Sequence, residues 1–546
     1  MTTSTDRLRH PRGLPVLFFT EMWERFGYYL MLGILVLYMI DPLEAGPFGG
    51  LGFDKAWAGE IYGSYLAMVY VMPFFGGILA DNFLGYRKSI VIGGSLMALG
   101  YLGVGVPILP GMDWIPRLPS FYISLLVICI GNGFFKPNMS ALVGRLYADD
   151  SPLKESGYNI FYMGINIGAF ICNFVAAWLR NQYGWGFAFC AAGLGMVVGV
   201  IWFLSGQKHL AGTPDRGAAG SAAKDGGTVM LNLLLQVLLP AAACGTLGYN
   251  FLANVFHNAM TAAFVCATIP IIIYYVLLWK RAAPDEKGPI GALLSVFAVV
   301  VVFWMIFHQN GSSQTIWAEE NTWREAGAAT PVVEGLHFSQ DATIGTAIED
   351  PDAKDSYWHN VPAAERPAEG EKVALISTEM FQSINPFFIV VLTPLVVWFF
   401  SLLRRRNKEP STPAKIAWGM FITALSTLPM IIAVVLTHGG AGKTSAMWLV
   451  ASYGIITVGE LCLSPMGLAL VSKLSPPRVT ALMMGGWFLA TAIGNKLAGV
   501  LASFWESIPL VWIFTINCIA AIFAAIVIAM LTPWIRGVMK QHMGKS

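Results

Sequence analysis

Charge is scarce in this sequence. Only 12% of its 546 residues are Asp, Glu, Lys or Arg, about half the ~25% of a soluble domain, which leaves too little polar surface for so long a chain to face water. His is scarcer still, at 8 residues, and the 7 Cys (Cys129, Cys172, Cys190, Cys244, Cys266, Cys462, Cys518) stand singly in apolar stretches. Neither a CxxC pair nor a Cys/His cluster has metal-ligand spacing, and no HExxH or clustered nucleophile and base is present, so an enzyme and a metal site both lack support. The formal net charge of +2 makes no case for nucleic acid. Strands of alternating polarity are missing as well, which argues against a membrane barrel.

What the sequence has is apolar length. It is 56% hydrophobic, with many runs near the ~20 residues that span a bilayer as a helix. The spacing predicts fourteen helices, at 14–40, 57–82, 88–109, 119–147, 156–180, 184–205, 228–250, 257–281, 289–315, 375–404, 413–437, 445–472, 479–503 and 508–535. Arg7, Arg9 and Arg12 precede the first run as they would in a signal peptide, but that run holds Glu21, Glu24 and Arg25 and no cleavage site follows, so it is read as helix 1. Basic residues such as Arg87, Lys88, Lys280, Arg281, Arg404, Arg405, Arg406, Arg536 and Lys540 fall in alternate loops, which the positive-inside rule assigns to the cytoplasm together with both termini. The fourteen divide as six (1–210), two in a linker (211–287) and six (288–546). Segment 316–372, acidic through Glu319, Glu320, Glu325 and Glu334, is too polar to span; it is either a solvated insert or a cover over the outer vestibule.

Ionisable side chains inside a bilayer are costly and mark function. Those well within the spans are Glu21, Glu24, Arg25, Lys136, His308, Glu460 and Lys496. Glu60 and Glu379 sit in first turns, where water is the expected partner. Glu21 and Arg25, and Glu24 and Tyr28, stand four apart on one side of helix 1; a carboxylate beside a guanidinium exchanges its proton as the partner leaves, with a purely structural pair as the alternative. Lys136 precedes Pro137 in helix 4 and needs an anion, either a helix 1 Glu or a substrate carboxylate. Glu460, before Ser464-Pro465 in helix 12, lies in the other half, so Lys136 and Glu460 offer opposite charges to a zwitterion or to each other. Gly76, Asp81, Gly85 and Arg87 form a small-residue turn between helices 2 and 3. Asn166 and Asn385 can hold a peptide amide or pack helices, and Tyr70, Trp304 and Trp487 can line a cavity or pack.

Glu21-x-x-Glu24-Arg25-Phe26-x-Tyr28-Tyr29 resembles the helix 1 signature of the proton-coupled oligopeptide transporters, and Phe161-Tyr162-x-x-Ile165-Asn166-x-Gly168 is similar to their second signature. Gly76 to Arg87 resembles the general major facilitator loop, and the segments around Lys136, Glu460 and Met483–Asn495 also resemble family sequences. The resemblance implies an all-α integral membrane protein of the major facilitator fold, two six-helix bundles plus a two-helix insertion, in a bacterial inner membrane. It implies a monomer that imports di- and tripeptides with protons and uses no cofactor. Arg25 and Lys136 would hold the peptide carboxylate; Glu460, Asn166 and Asn385 its amino terminus; Tyr28, Tyr29, Tyr70, Ser464 and Trp487 would line the site; Glu21, Glu24 and Arg25 would couple the proton. Carriage of nitrate or another small solute is the alternative. Two positions depart from the family pattern: Leu32 and His308 stand where relatives place an Arg and an acid that close an outer gate. Both charges are missing together, which leaves His308 open as a protonation site or a neutral hydrogen-bonding group. Lys496 has no family counterpart and is expected to snorkel to the periplasmic face.

Overall fold

In the computed structural model the chain is helical nearly throughout. The structure describes residues 10–43, 48–147, 153–215, 231, 234–256, 258–343, 357–358, 360–366, 368, 371–476 and 479–543. The long helices run in order as α1 (Gly13–Ile40), α2 (Lys55–Leu79, continued by a π-turn, Ala80–Leu84), α3 (Tyr86–Gly105), α4 (Arg117–Arg145), α5 (Lys154–Tyr183), α6 (Trp185–Gly206), α7 (Leu239–Phe251), α8 (Ala259–Arg281), α9 (Pro284–Phe307), α10 (Ile384–Arg405), α11 (Thr412–Leu436), α12 (Met447–Leu474), α13 (Thr480–Ser503) and α14 (Leu510–Met543). Among the described residues eleven stretches are long and apolar enough to cross a membrane. The three long helices outside that measure, α1, α2 and α13, are the ones that carry Glu21, Glu24, Arg25, Glu60 and Lys496.

Local chemistry sets several boundaries. Asp54 caps α2 by accepting from the Trp57 amide at 2.6 Å, and Asn258 caps α8 by accepting from Thr261 N at 2.8 Å, each satisfying an amide that the first turn leaves unpaired. Gly184 has φ +94° between α5 and α6, a left-handed turn that only glycine adopts without strain.

The two halves repeat one packing scheme. In the first, α1 packs on α5 and α6, α3 on α4 and α6, and α2 on α4; in the second, α9 packs on α13 and α14, α11 on α12 and α14, and α10 on α12. Such internal repetition is the mark of the two-bundle transporter architecture. Each bundle has its own apolar core. The bundles meet along α2 with α13 and α5 with α10. The inserted α7 and α8 pack on each other, and α8 lies against α2 and α9.

Fourteen long helices running alternately up and down place the start of α1 and the end of α14 at one face, here the near face, where the basic connections also lie. At the far face the described part of segment 316–372 forms two short helices (Ser313–Glu320, Thr330–Gly335) and strands β1 (Thr322–Trp323), β2 (Ser339–Thr343) and β3 (Lys372–Ile376). β2 pairs antiparallel with β3, and β1 pairs parallel with β4 (Thr444–Ser445) of the loop before α12. Tyr357, Trp358, Val361 and Leu375 give it a small core. It also docks on the first bundle: Asn181 at the end of α5 donates to the His337 carbonyl (3.2 Å) and to Ser377 Oγ (2.8 Å), and Lys55 pairs with Glu320 at 2.7 Å. Residues 344–356 of this insert lie outside the described residues.

Candidate functional site

The site begins with two glycine crossings. A Cβ on Gly76 of α2 would lie 1.9 Å from the Gly133 carbonyl oxygen of α4, so only glycine lets these backbones meet. One turn along, Pro137 leaves that same Gly133 carbonyl without an intrahelical donor. The crossing and the proline together aim Lys136 at α2, where its ammonium lies 4.0 Å from the centroid of the Tyr70 ring and 6.0 Å from that of Tyr28. In the second bundle, Gly459 lets α12 approach Gly419 and Thr423 of α11, and the next residue is Glu460.

The acids of α1 share one guanidinium. Arg25 bonds Glu24 in bidentate fashion, through Nε to Oε2 and through Nη2 to Oε1 at 2.6 Å, and its Nε lies 3.4 Å from Glu21 Oε1. The i,i+4 pairing is therefore secondary, and Glu24 bonds its neighbour in sequence rather than Tyr28. Glu24 is fully buried and accepts a further bond from Asn132 of α4 at 3.3 Å, so its direction is fixed toward α4 and the long Arg25 side chain swings round to meet it. The guanidinium also covers the Tyr28 ring at 4.7 Å, and Tyr29 stands edge-on to Tyr28 at 5.2 Å.

Lys136 makes no ion pair among the described residues, and neither does Glu460. The two are not paired with each other, unlike the substrate-free pair that their opposite charges allowed. Glu460 Oε2 accepts from Asn385 Nδ2 at 3.1 Å, and Asn385 also donates to Thr457 Oγ1 at 2.9 Å. Tyr29 and Tyr162 of the first bundle lie within electrostatic range of Glu460. A half-buried ammonium on one bundle and a half-buried carboxylate on the other, neither ion-paired among the described residues, are able to receive a molecule carrying both charges.

The remaining expected residues are placed unevenly. Asn166 donates to the Tyr162 carbonyl of its own helix at 3.0 Å and does not join Glu460. Ser464 is half-buried one turn after Glu460. Trp487 is buried in the second core, against Gly467 and at 6.4 Å from the Phe297 ring. His308 opens the turn His308–Gly311 that ends α9; it stacks on Trp304 at 5.5 Å and faces Tyr70 at 6.3 Å. Neither of its ring nitrogens has a hydrogen-bond partner among the described residues, so the hydrogen-bonding alternative is not realised here. At the near face Gly85 has φ +79°, and Arg87 binds beyond its own loop: its amide donates to Asp215 Oδ1 at 2.9 Å and its Nη2 to the Thr213 carbonyl at 2.7 Å. The Asp81 side chain lies outside the described residues.

Three expectations are corrected. Lys496 does not snorkel: it is 1% exposed and bonds Glu60, 2% exposed, which does not face water. Glu379 is fully buried and pairs with Arg180 of α5 at 3.0 Å. Sequence reasoning also passed over Asn132, Thr457 and Asp215, because neutral residues and a loop acid carry no signal until folding supplies their partners.

At the far face the bundles are tied by Arg180–Glu379, by Asn173 Nδ2 to Ser383 Oγ (3.1 Å) and by Ser383 Oγ to the Phe170 carbonyl (2.8 Å). At the near face no ion pair or hydrogen bond joins α4 or α5 to α12 or α13 among the described residues.

A sequence profile of the POT family matches residues 87–329 and 371–522. Over 97% of its length the chain is 30% identical to an uncharacterized transporter, YclF, of Bacillus subtilis, covering 95% of that protein. It is also 30% identical to a di-/tripeptide transporter of Lactococcus lactis, over 95% of this chain and 94% of the relative. A crystal structure of a peptide transporter in complex with alafosfalin superposes with a TM-score of 0.72 at 28% identity, covering 98% of this chain and 96% of that one.

Proposed function

The chain belongs to the POT family, and from that premise we propose that it is a proton-coupled symporter that imports di- and tripeptides by alternating access. The observation that carries the reading is the pair of uncompensated charges, Lys136 on α4 and Glu460 on α12, on opposite bundles. A short peptide is a zwitterion at neutral pH. Its carboxylate fits Lys136 with Arg25 close behind, and its ammonium fits Glu460 beside Asn385, with Tyr28, Tyr29 and Tyr70 between them. A bound peptide then links the bundles, and a ligand that binds one arrangement better shifts the population toward it.

The near face is assigned to the cytoplasm by its Lys and Arg, in the inner membrane of a bacterium, with the chain acting as a monomer. The far-face ties support an inward-facing state. Glu21, Glu24 and Arg25 are the proton-coupling group: a proton on Glu24 releases its bidentate bond and frees Arg25 for the peptide carboxylate. The coupling ion is the proton, and no cofactor takes part.

The test is uptake of labelled dialanine into liposomes holding the purified protein, with and without an inward proton gradient. Gradient-driven accumulation is expected, competed by unlabelled dipeptide. A nitrate carrier would leave Glu460 without a ligand; competition by nitrate and not by dipeptide would overturn the peptide reading.

A further inference from the structure

The buried ion pair between Glu60 and Lys496 lies outside the peptide site, and α8 of the insertion takes part in it. Glu60 stands near the far end of α2, Lys496 near the far end of α13, and Thr261 in the first turn of α8. Lys496 Nζ bonds Glu60 Oε2 and donates to Ser64 Oγ at 3.0 Å. The Thr261 hydroxyl lies 2.9 and 2.8 Å from the two oxygens of Glu60. One carboxylate of the first bundle is thus held by a helix of the second bundle and by the insertion. The seam beside it is built for close approach. A Cβ on Gly499 of α13 would lie 2.4 Å from the Gly59 carbonyl oxygen, and one on Gly63 of α2 would lie 2.8 Å from Gly499 Cα. Farther toward the near face, the Tyr275 hydroxyl of α8 donates to the Leu482 carbonyl of α13 at 2.8 Å. So α8 is bonded to the first bundle at its far end and to the second bundle lower down, across the seam.

We propose that Glu60, Lys496 and Thr261 form the lock that holds the far mouth shut in this chain, and that the inserted pair is a working part of the transport cycle through it. Neither member of the charge pair expected from relatives is present: Leu32 is buried in the first core, and His308 stacks on Trp304. Opening the far mouth requires Lys496 to leave Glu60. That exposes two buried charges to each other's loss unless water enters between them, so the step is all-or-none. Thr261 keeps the carboxylate facing α13, which makes it a positioning residue for the gate. The proposal rests on the alternating-access reading, but its test needs no substrate.

The experiment measures electron-electron distances between spin labels at Trp114→Cys and Met447→Cys, two exposed positions at the far ends of the first and second bundles. Cys244 is changed to Ser, because the other six native cysteines are buried. Unaltered protein is expected to give mainly the short, closed distance. Glu60→Gln and Lys496→Met should each shift at least tenfold more molecules, relative to closed ones, into a longer distance, and Thr261→Val about threefold. The swap Glu60→Lys with Lys496→Glu should return the closed distribution, which a general loss of packing would not do. Folded single variants with an unmoved distribution would overturn the lock. If the charge variants fail to fold, the decision passes to Thr261→Val, which removes no charge: an unmoved distribution there overturns the proposal. A working lock in protein that moves no peptide would sink the peptide reading and leave the lock standing for another solute.

Discussion

The two six-helix bundles share a packing scheme and differ in charge. In the first, α1 and α4 gather two acids and two bases, with Arg25 shared between Glu24 and Glu21 and with Asn132 closing the Glu24 shell. In the second, Glu460 stands with only the neutral Asn385 and Thr457. The repeated backbone supplies the frame that rocks, while the unequal decoration supplies direction. On the proposed reading the crowded bundle trades a proton internally, because each acid has an alternative state beside Arg25. The sparse bundle has no such partner for Glu460 among the described residues, so on the same reading a ligand completes it.

Removing Lys136 breaks this contrast most severely. Lys136→Ala leaves the crowded bundle with its acids paired to Arg25 and no cation to spare. Losing one partner of a buried charged contact costs about 2–5 kcal/mol, so peptide uptake in liposomes should fall by about 30-fold or more. Lys136→Arg should recover part of it, and retention of full uptake by Lys136→Ala would end the assignment of the carboxylate site. Glu24→Gln tests the proton side of the same bundle. One proton entering down 100 mV supplies about 2.3 kcal/mol, enough for roughly 50-fold accumulation. The variant should lose that accumulation and still exchange labelled for unlabelled peptide at equilibrium. Gradient-driven accumulation surviving in Glu24→Gln would move the coupling elsewhere.

Much of this frame was legible in the sequence. Runs of about 20 apolar residues fix where helices must lie in a bilayer, and eleven stretches among the described residues are long and apolar enough to cross one. The far residues of the site were also legible, since an ionisable group among apolar neighbours stands out. Partnership was not. Glu60 and Lys496 are 436 positions apart, and nothing local says that a glycine seam brings α2 onto α13. Helical spacing favoured Glu21 as the mate of Arg25, but a long guanidinium directed by Asn132 on another helix went to Glu24. Asn166, which a motif suggested for the site, donates one turn back to the Tyr162 carbonyl.

Glu460→Gln sharpens the comparison from the sparse side. The substitution keeps the shape and a hydrogen bond to Asn385 and removes only the charge. A hydrogen bond to a charged group contributes about 1.5–3 kcal/mol, so affinity for a dipeptide with a free amino terminus should drop about tenfold or more. An N-acetylated dipeptide has no ammonium to offer, and its weaker binding should be the same in both proteins. If both ligands lose equally, Glu460 supports the fold and does not read the amino terminus.

His308→Gln should have the smallest effect, less than about twofold on gradient-driven uptake. The ring sits at the end of α9, stacked on Trp304 and facing Tyr70, with no carboxylate within ion-pair distance among the described residues. A proton site needs an acceptor to pass its charge to within about 3 Å or through one water, and in the first bundle the acids that could serve are already engaged with Arg25. The measurement is dialanine uptake against pH in the two proteins. Profiles that coincide leave the proton with the crowded bundle, as the charge asymmetry requires. A profile displaced in His308→Gln, with exchange unchanged, would mean that the second bundle titrates as well, and the division of labour between the halves would fail.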